Sequence, residues 1–122
     1  MKLNNNIIYQ YAQILNQAFD NLDIYIPAKA NFFIQKNRAV IAAAAQEVDK
    51  SRIDIIRHYG EPDESGEQIV IPQDKIEVAS KELEDLFTIE QELDIKTFSI
   101  ESLGDTQFTA AQMQAIMFMI ED

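Results

Sequence analysis

A mainly α-helical fold with a small β element is predicted by three features of this sequence. Apolar residues recur at spacings of three and four along two N-terminal segments, as in amphipathic helices. Residues 28–59 contain neither glycine nor proline. Two short stretches after Gly60 carry the β-branched or alternating residues typical of strands. The predicted architecture is a long antiparallel helical hairpin, followed by a short two-stranded β element, a short helix and a C-terminal helix.

The chain of 122 residues is expected to form a single domain, residues 1–122, because its 47% hydrophobic content suffices for one core of moderate size. Residues 1–59 supply the helical hairpin and residues 60–122 an acidic α+β part. The absence of cysteine excludes disulfides and thiolate metal sites. No stretch approaches the roughly 20 apolar residues that cross a bilayer, and no signal peptide precedes the first helix, so we expect a soluble, unexported protein.

The first helix is predicted between Asn4 and Leu22. The "DIYIP" stretch then makes a connection, because the residue before a proline disfavours helix while proline suits the first turn of a new one. The apolar stripe of this helix comprises Ile8, Tyr11, Leu15, Ala18 and Leu22.

One long helix is predicted from Pro27 to Tyr59. Its 33 residues would span about 50 Å, whereas a compact domain of this size is about 35 Å across. The helix must therefore protrude, bend or break. Gly60 is expected to end it in the left-handed conformation, with Arg57 and His58 meeting the negative end of the helix dipole.

Four consecutive alanines make the middle of the long helix slim, so that another helix can approach closely. Two interpretations stay open for this stretch. The first helix of the same chain packs there, or the alanines form a self-association face through Ala42 and Ala45.

After Gly60 we predict a turn over "EPDESGE" with Gly66 at positive φ, and then a short strand at Ile69–Ile71. A helix should follow over residues 74–87, in which Asp74 and Glu77 form a capping box. A strand is predicted over Glu92–Phe98, paired with the strand at Ile69–Ile71.

The C-terminal helix is predicted to begin at Thr109 or at the nearby Thr106. Its apolar residues cover much of its circumference, and they comprise Met113, Ile116, Met117, Phe118, Met119 and Ile120. Such a face is either buried in the core or docked in a partner's groove, because methionine-rich faces adapt to different partners.

Charge is divided unevenly along the chain. Residues 1–59 carry seven Lys and Arg against five Asp and Glu, a net +2, whereas residues 60–122 carry three against sixteen, a net −13. The acidic half should repel nucleic acid and anionic membranes and attract a basic protein surface. The residues expected to bind a protein partner are Glu77, Glu82, Glu84 and Asp85, together with Met113 and Met117.

The only histidine lies beside several carboxylates in "RHYGEPDESGE". A lone histidine cannot supply the ligand set of a zinc site, and the turn lacks the calcium-loop spacing, so we expect no metal and no cofactor. An enzyme using His58 with Glu61 is an alternative, although no nucleophile or oxyanion donor accompanies them. A helix end followed by a solvated turn explains the residues better.

Nucleic-acid binding through the long helix is a further alternative. The basic residues there are interleaved with Glu47, Asp49 and Asp54, which is typical of an ordinary exposed helix. Those basic residues are Lys29, Lys36, Arg38, Lys50, Arg52 and Arg57.

The order of four segments, "IPAKANFFIQKN", "HYGEPDESGEQIVIP", "ELDIKTFSIESL" and "TAAQMQAIMFMIED", resembles a family of small proteins of unknown function from phages and prophages of low-GC Gram-positive bacteria. The resemblance covers most of the chain and implies no catalytic residue. We therefore expect a non-enzymatic accessory protein that acts through protein partners, in the host cytoplasm or in association with the virion. Virion assembly and inhibition of a host factor both remain open, as does a homo-oligomer.

Overall fold

The computed structural model describes residues 1–20 and 23–121, and it confirms a mainly helical chain with a small β element. The helices are α1 (Asn5–Phe19), α2 (Ala28–Tyr59), α3 (Ile76–Thr88) and α4 (Ala110–Ile116). The strands are β1 (Lys2–Asn4), β2 (Glu61–Pro62), β3 (Ile69–Val70), β4 (Glu90–Glu92), β5 (Phe98–Ser99) and β6 (Ile120–Glu121). Short 3₁₀ turns span Gln73–Lys75, Ile100–Leu103 and Met117–Met119.

Helices α1 and α2 form the antiparallel hairpin predicted from the sequence. The Tyr9 hydroxyl lies 3.3 Å from an Asp49 carboxylate oxygen near one end, and Arg38 pairs with Asp20 at 3.0 Å near the other. The side chain of Asn4 accepts a hydrogen bond from a first-turn backbone N–H of α1 and so caps it. The predicted stripe residue Leu22 lies outside the described residues.

Helix α2 is unbroken over 32 residues, about 48 Å. Its buried positions alternate spacings of four and three, which keeps one narrow stripe against the core. They are Ala30, Ile34, Asn37, Ile41, Ala44 and Val48. Beyond Val48 no position of α2 is fully buried, and α3 packs against this end. The expected excess length is thus partly covered by α3.

Gly60 ends α2, but the predicted left-handed conformation is wrong. Its φ of −86° and ψ of 161° are extended, and its N–H donates to the Ile56 carbonyl. A Cβ at this position would lie 2.5 Å from that carbonyl oxygen and would also clash with the Ile69 side chain. Glycine is needed here because β3 passes close by.

Within residues 1–20 and 23–121 the β element consists of three separate two-stranded sheets, and the predicted pairing of Ile69–Ile71 with Glu92–Phe98 is wrong. Strand β3 pairs with β2 across the intervening turn, in which Gly66 has the predicted positive φ of 74°. This pairing closes a short loop at little entropic cost. Strand β4 pairs antiparallel with β1, and β5 pairs parallel with β6.

The predicted capping box of α3 is also wrong. Asp74 lies inside the 3₁₀ turn that precedes α3, where the Lys75 N–H donates to the Pro72 carbonyl at 2.9 Å. No side chain caps the first turn of α3. Pro72 starts this turn because its fixed φ, here −57°, already suits it.

Helix α4 begins with the predicted Thr109 cap, which forms a capping box with Gln112. It ends earlier than expected, because the backbone tightens into a 3₁₀ turn after Ile116 and then becomes strand β6. The tighter turn rotates Met119 into the core, where it is fully buried, and leaves Met117 59% exposed. The predicted face of Met113, Ile116, Met117 and Ile120 is therefore interrupted, because Met117 turns away from the core.

The core cluster draws residues from α1, α2 and α4, from β1, from the α1–α2 connection and from the segments between α3 and α4. Two buried asparagines join the halves of the chain inside it. The Asn37 side chain donates to the Lys96 carbonyl and accepts from the Lys96 N–H, both at 2.8 Å. The Asn5 side chain donates to the Leu86 carbonyl and accepts from the Gln91 side chain.

Candidate partner-binding surfaces

The outer face of α3, which we call the acidic face, is defined by Asp74, Glu77, Val78, Lys81 and Glu84. These residues and Ser80 line a shallow depression of about 580 Å³. Val78 is 44% exposed and is the only apolar side chain that lines it. Helical spacing produces this face, because positions 77, 81 and 84 share one side of α3 while Ala79 points into the core. Acidic groups thus surround an exposed apolar residue.

The four predicted acidic residues do not form one cluster. Glu77 and Glu84 lie on the acidic face, whereas Glu82 and Asp85 line a second depression with residues of the α2–α3 contact. Asp85 also pairs with Lys81 at 2.9 Å, which raises the pKa of the Lys81 ammonium through the hydrogen bond and the charge. Of the four predicted acids, only Glu77 and Glu84 therefore lie on the acidic face, together with Asp74.

Glu82 interacts with the C-terminal end of α2. Burial raises the pKa of the Tyr59 phenol, and the hydrogen bond and negative charge of Glu82 raise it further. His58 stacks edge-on against Tyr59 with ring centroids 4.6 Å apart. Glu82 thus contributes to the packing between α2 and α3.

The predicted methionine surface lies on the other side of α1 from α3. Tyr9 meets Phe87 of α3 edge-on at 5.8 Å, whereas Tyr11 stacks on Phe118 just after α4 at 4.2 Å. Residues two apart on a helix point about 200° apart, so α3 and α4 flank α1 on opposite sides. Met113 and Met117 consequently do not extend the acidic face. Met113 lines a smaller depression together with Phe108.

A groove of about 550 Å³ runs along the contact between α1 and α2. We call it the alanine groove, because five of its ten lining residues are alanines. From α1 it is lined by Tyr9, Ala12, Gln13 and Asn16, and from α2 by Ala39, Ala42, Ala43, Ala45, Gln46 and Asp49. Ala42 is exposed and Ala45 half-buried, so both predicted self-association residues lie in it.

Packing within the chain accounts for part of the alanine run, while self-association through Ala42 and Ala45 stays a prediction. Ala44 is buried and belongs to the core, while Ala42 and Ala43 face solvent. The α1 wall of the groove was missed by sequence analysis. The sequence feature that indicates this wall is a second stripe on α1, at positions 9, 12, 13 and 16. It lies next to the apolar stripe that packs in the core.

Lysines lie on the exposed side of α2 at both ends of the alanine groove. Lys36 and Lys50 share the helix face of Ala43, being seven residues from it in either direction. The ammonium group of Lys36 lies 5.6 Å from the centre of the Phe32 ring. Neither lysine belongs to an ion pair within residues 1–20 and 23–121. The basic residues predicted for nucleic-acid binding thus do not all share one environment, since Arg38 and Arg52 do pair with aspartates.

The alternative catalytic residues His58 and Glu61 are both exposed, and neither lines any of the four depressions described above. Over the same ranges, no three His, Cys, Asp or Glu side chains are grouped so as to hold a metal ion. The turn that follows is ordered by its own hydrogen bonds. The Ser65 hydroxyl donates to the Asp63 carboxylate at 2.6 Å and, with backbone N–H donors, lowers the pKa of Asp63.

No family model, curated protein or solved structure matches this sequence. In the part of the chain that the structure describes, no helix is both long enough and apolar enough to cross a membrane.

Proposed function

We propose that this chain is a non-enzymatic accessory protein of a phage or prophage, which binds a basic protein surface in the host cell. The observation that carries the proposal is the acidic face of α3. It exposes the carboxylates of Glu77 and Glu84 beside the apolar side chain of Val78. The resemblance of the sequence to phage proteins supports the proposed origin.

Electrostatics favour a basic protein as the partner. Glu77 and Glu84 form no ion pair within the described ranges, so their charges are free to meet a partner's lysines or arginines. The net charge of −13 in residues 60–122 would speed the approach of a positively charged surface. A protein surface also supplies apolar groups to cover Val78, which a phosphate backbone does not.

The proposal is tested by charge reversal on the acidic face. The tagged chain is expressed in its lysogenic host, co-purifying proteins are identified, and the main candidate is then purified for calorimetry at two salt concentrations. We expect the double variant Glu77→Lys, Glu84→Lys to lose at least about tenfold in affinity, because two attractive contacts become repulsive. The affinity of the wild-type chain should fall as salt rises.

A matched control is the double variant Glu90→Lys, Glu101→Lys. It changes the net charge equally at two exposed acids of the same half that lie outside α3. Wild-type affinity in this control, with loss in the α3 variant, would support the proposal. A partner that binds the α3 variant as tightly as the wild-type chain would refute it, as would a partner that is a nucleic acid.

A further inference from the structure

We propose that the alanine groove receives α3 of a second copy of this chain, in a two-fold dimer in which each α3 fills the other's groove. The acidic face and the alanine groove lie on the same side of the α1–α2 pair. Tyr9 marks their boundary, because its ring packs against Phe87 of α3 and also lines the groove. The acidic face of α3, which forms a ridge, and the alanine groove are thus adjacent on one surface.

This adjacency suits a two-fold axis. In a two-fold dimer the same patch serves both copies, so any ridge that enters the partner's groove is matched by the reciprocal contact. Helix α3 covers the α1–α2 contact from the end of α2 up to Tyr9 and leaves the rest open. A partner's helix would continue the layer that α3 begins.

The dimensions of the ridge and of the groove agree. The 13 residues of α3 measure about 20 Å, and Lys36 and Lys50, which are 14 positions apart, lie about 21 Å apart along α2. Exposed alanines at 39, 42 and 43 permit the close approach of about 8 Å at which slim helices pack. Val78, 44% exposed on α3, would lose its contact with water against these methyl groups.

Charge decides which occupant fits. The one charged residue that lines the groove in the described structure, Asp49, is paired with Arg52, and an exposed lysine lies beyond each end of the groove, at 36 and 50. The ridge carries Glu77 and Glu84. Neither the two lysines nor the two glutamates form an ion pair over residues 1–20 and 23–121. In the dimer each α3 would bring its carboxylates to the partner's lysines, so both unpaired sets are neutralised together. A basic helix in this groove would instead face Lys36 and Lys50.

The dimer uses the acidic face that we also propose for a foreign partner, so the two associations exclude each other. Its test needs no partner and is therefore independent of that proposal. The double variant Lys36→Glu, Lys50→Glu changes the lysines beside the groove and keeps the acidic face. It should therefore fail to dimerise but still bind the basic partner.

Light scattering after size exclusion, followed by analytical ultracentrifugation over a concentration series, measures the association. We expect the wild-type chain to reach twice its 14.0 kDa mass at low salt, and to dissociate as salt rises. The double variant Lys36→Glu, Lys50→Glu should be monomeric, and so should the double variant Glu77→Lys, Glu84→Lys. Circular dichroism verifies that each variant keeps its helical content. The controls Lys2→Glu and Glu90→Lys, Glu101→Lys should dimerise like the wild-type chain.

The decisive sample is an equimolar mixture of the two double variants. In the mixture, the changed groove of one variant meets the changed α3 of the other with reversed but matching charges, and the second contact keeps its wild-type charges. We therefore expect the two monomeric proteins to form a heterodimer. A wild-type chain that stays monomeric at protein concentrations up to about 1 mM would overturn the proposal, because the dissociation constant of the dimer would then exceed about 1 mM. It would equally fail if the mixture stays monomeric, or if both double variants dimerise as the wild-type chain does.

Discussion

At the scale of single residues, Asn37 joins the long helix to the acidic half of the chain. Its side chain is fully buried and satisfies both backbone groups of Lys96 at 2.8 Å. A buried amide with two such bonds fixes the position of the segment between β4 and β5. Composition and periodicity gave no sign of this role, because asparagine on a predicted helix is usually exposed.

Replacing Asn37 by alanine should lower the free energy of unfolding by about 2–4 kcal/mol. The cost arises because the partly buried hydrogen bonds to the N–H and carbonyl of Lys96 would both be lost. Urea denaturation measures the change. Asn6→Ala is the control, since Asn6 is exposed on α1 and should alter stability by at most about 0.5 kcal/mol. Equal effects of the two substitutions would contradict the assigned role of Asn37.

The pKa of Asp63 offers a second test at this scale. The Ser65 hydroxyl lowers it most, helped by backbone N–H groups and opposed by burial. Because the folded pKa lies below the unfolded one, this group stabilises the fold above the unfolded pKa, and the contribution disappears as pH falls through the folded pKa.

Ser65→Ala should raise the pKa of Asp63 toward its ordinary value, as measured by an NMR titration of its carboxyl carbon. Ser80→Ala, on the exposed side of α3, is the matched control and should leave Asp63 unchanged. An Asp63 titration that is the same with and without the Ser65 hydroxyl would show that this hydrogen bond is not what lowers the pKa.

At the scale of elements, the C-terminal segment shows where helical periodicity stops being informative. The sequence predicts one helix with Met113, Met117 and Ile120 on one face. The structure has seven residues of α4, a 3₁₀ turn and a strand. Pairing of β6 with β5 requires an extended backbone after Met119, so the helix has to end before it. This demand comes from residues about twenty positions earlier, which no local pattern can show.

Alanine substitutions of Met117 and Met119 test this change from α-helix to 3₁₀ turn. Met119→Ala should cost about 2–4 kcal/mol of unfolding free energy, because a fully buried side chain would leave a cavity. Met117→Ala should change it by at most about 0.5 kcal/mol, since that side chain is 59% exposed. Thermal or urea unfolding of both variants measures the difference. The reverse order would indicate that α4 continues as a regular helix with Met117 in the core.

Among the other elements, some conformations are determined by the local sequence and others by contacts with distant residues. Helices α1 and α2, the Thr109 cap and the positive φ of Gly66 follow from local spacing and turn chemistry, and they could be predicted. The extended Gly60 could not, because its requirement is set by the approach of Ile69. The start of α3 was mispredicted since a 3₁₀ turn satisfied its first backbone groups without Asp74.

At the scale of the whole molecule, the sequence revealed the charge of the candidate surfaces but not their shape. The division into +2 and −13 is evident from the residues, and it pointed to the acids of α3. That Glu82 belongs to the α2–α3 contact while Glu77 faces outward depends on how α3 lies on the hairpin. The alanine groove likewise exists only because α1 and α2 come together and α3 leaves part of their contact open.

Strand β1 pairs with β4 at Lys2 and Glu92, positions separated by 90 residues. The ribosome therefore has to synthesise the 90 residues that follow Lys2 before this strand can pair with β4. The α1–α2 hairpin, made of nearer contacts, is free to form while synthesis continues. Distant pairings slow folding because the intervening chain must first be ordered. We therefore infer that closing this N-terminal strand onto β4 is a late event in folding, after the hairpin.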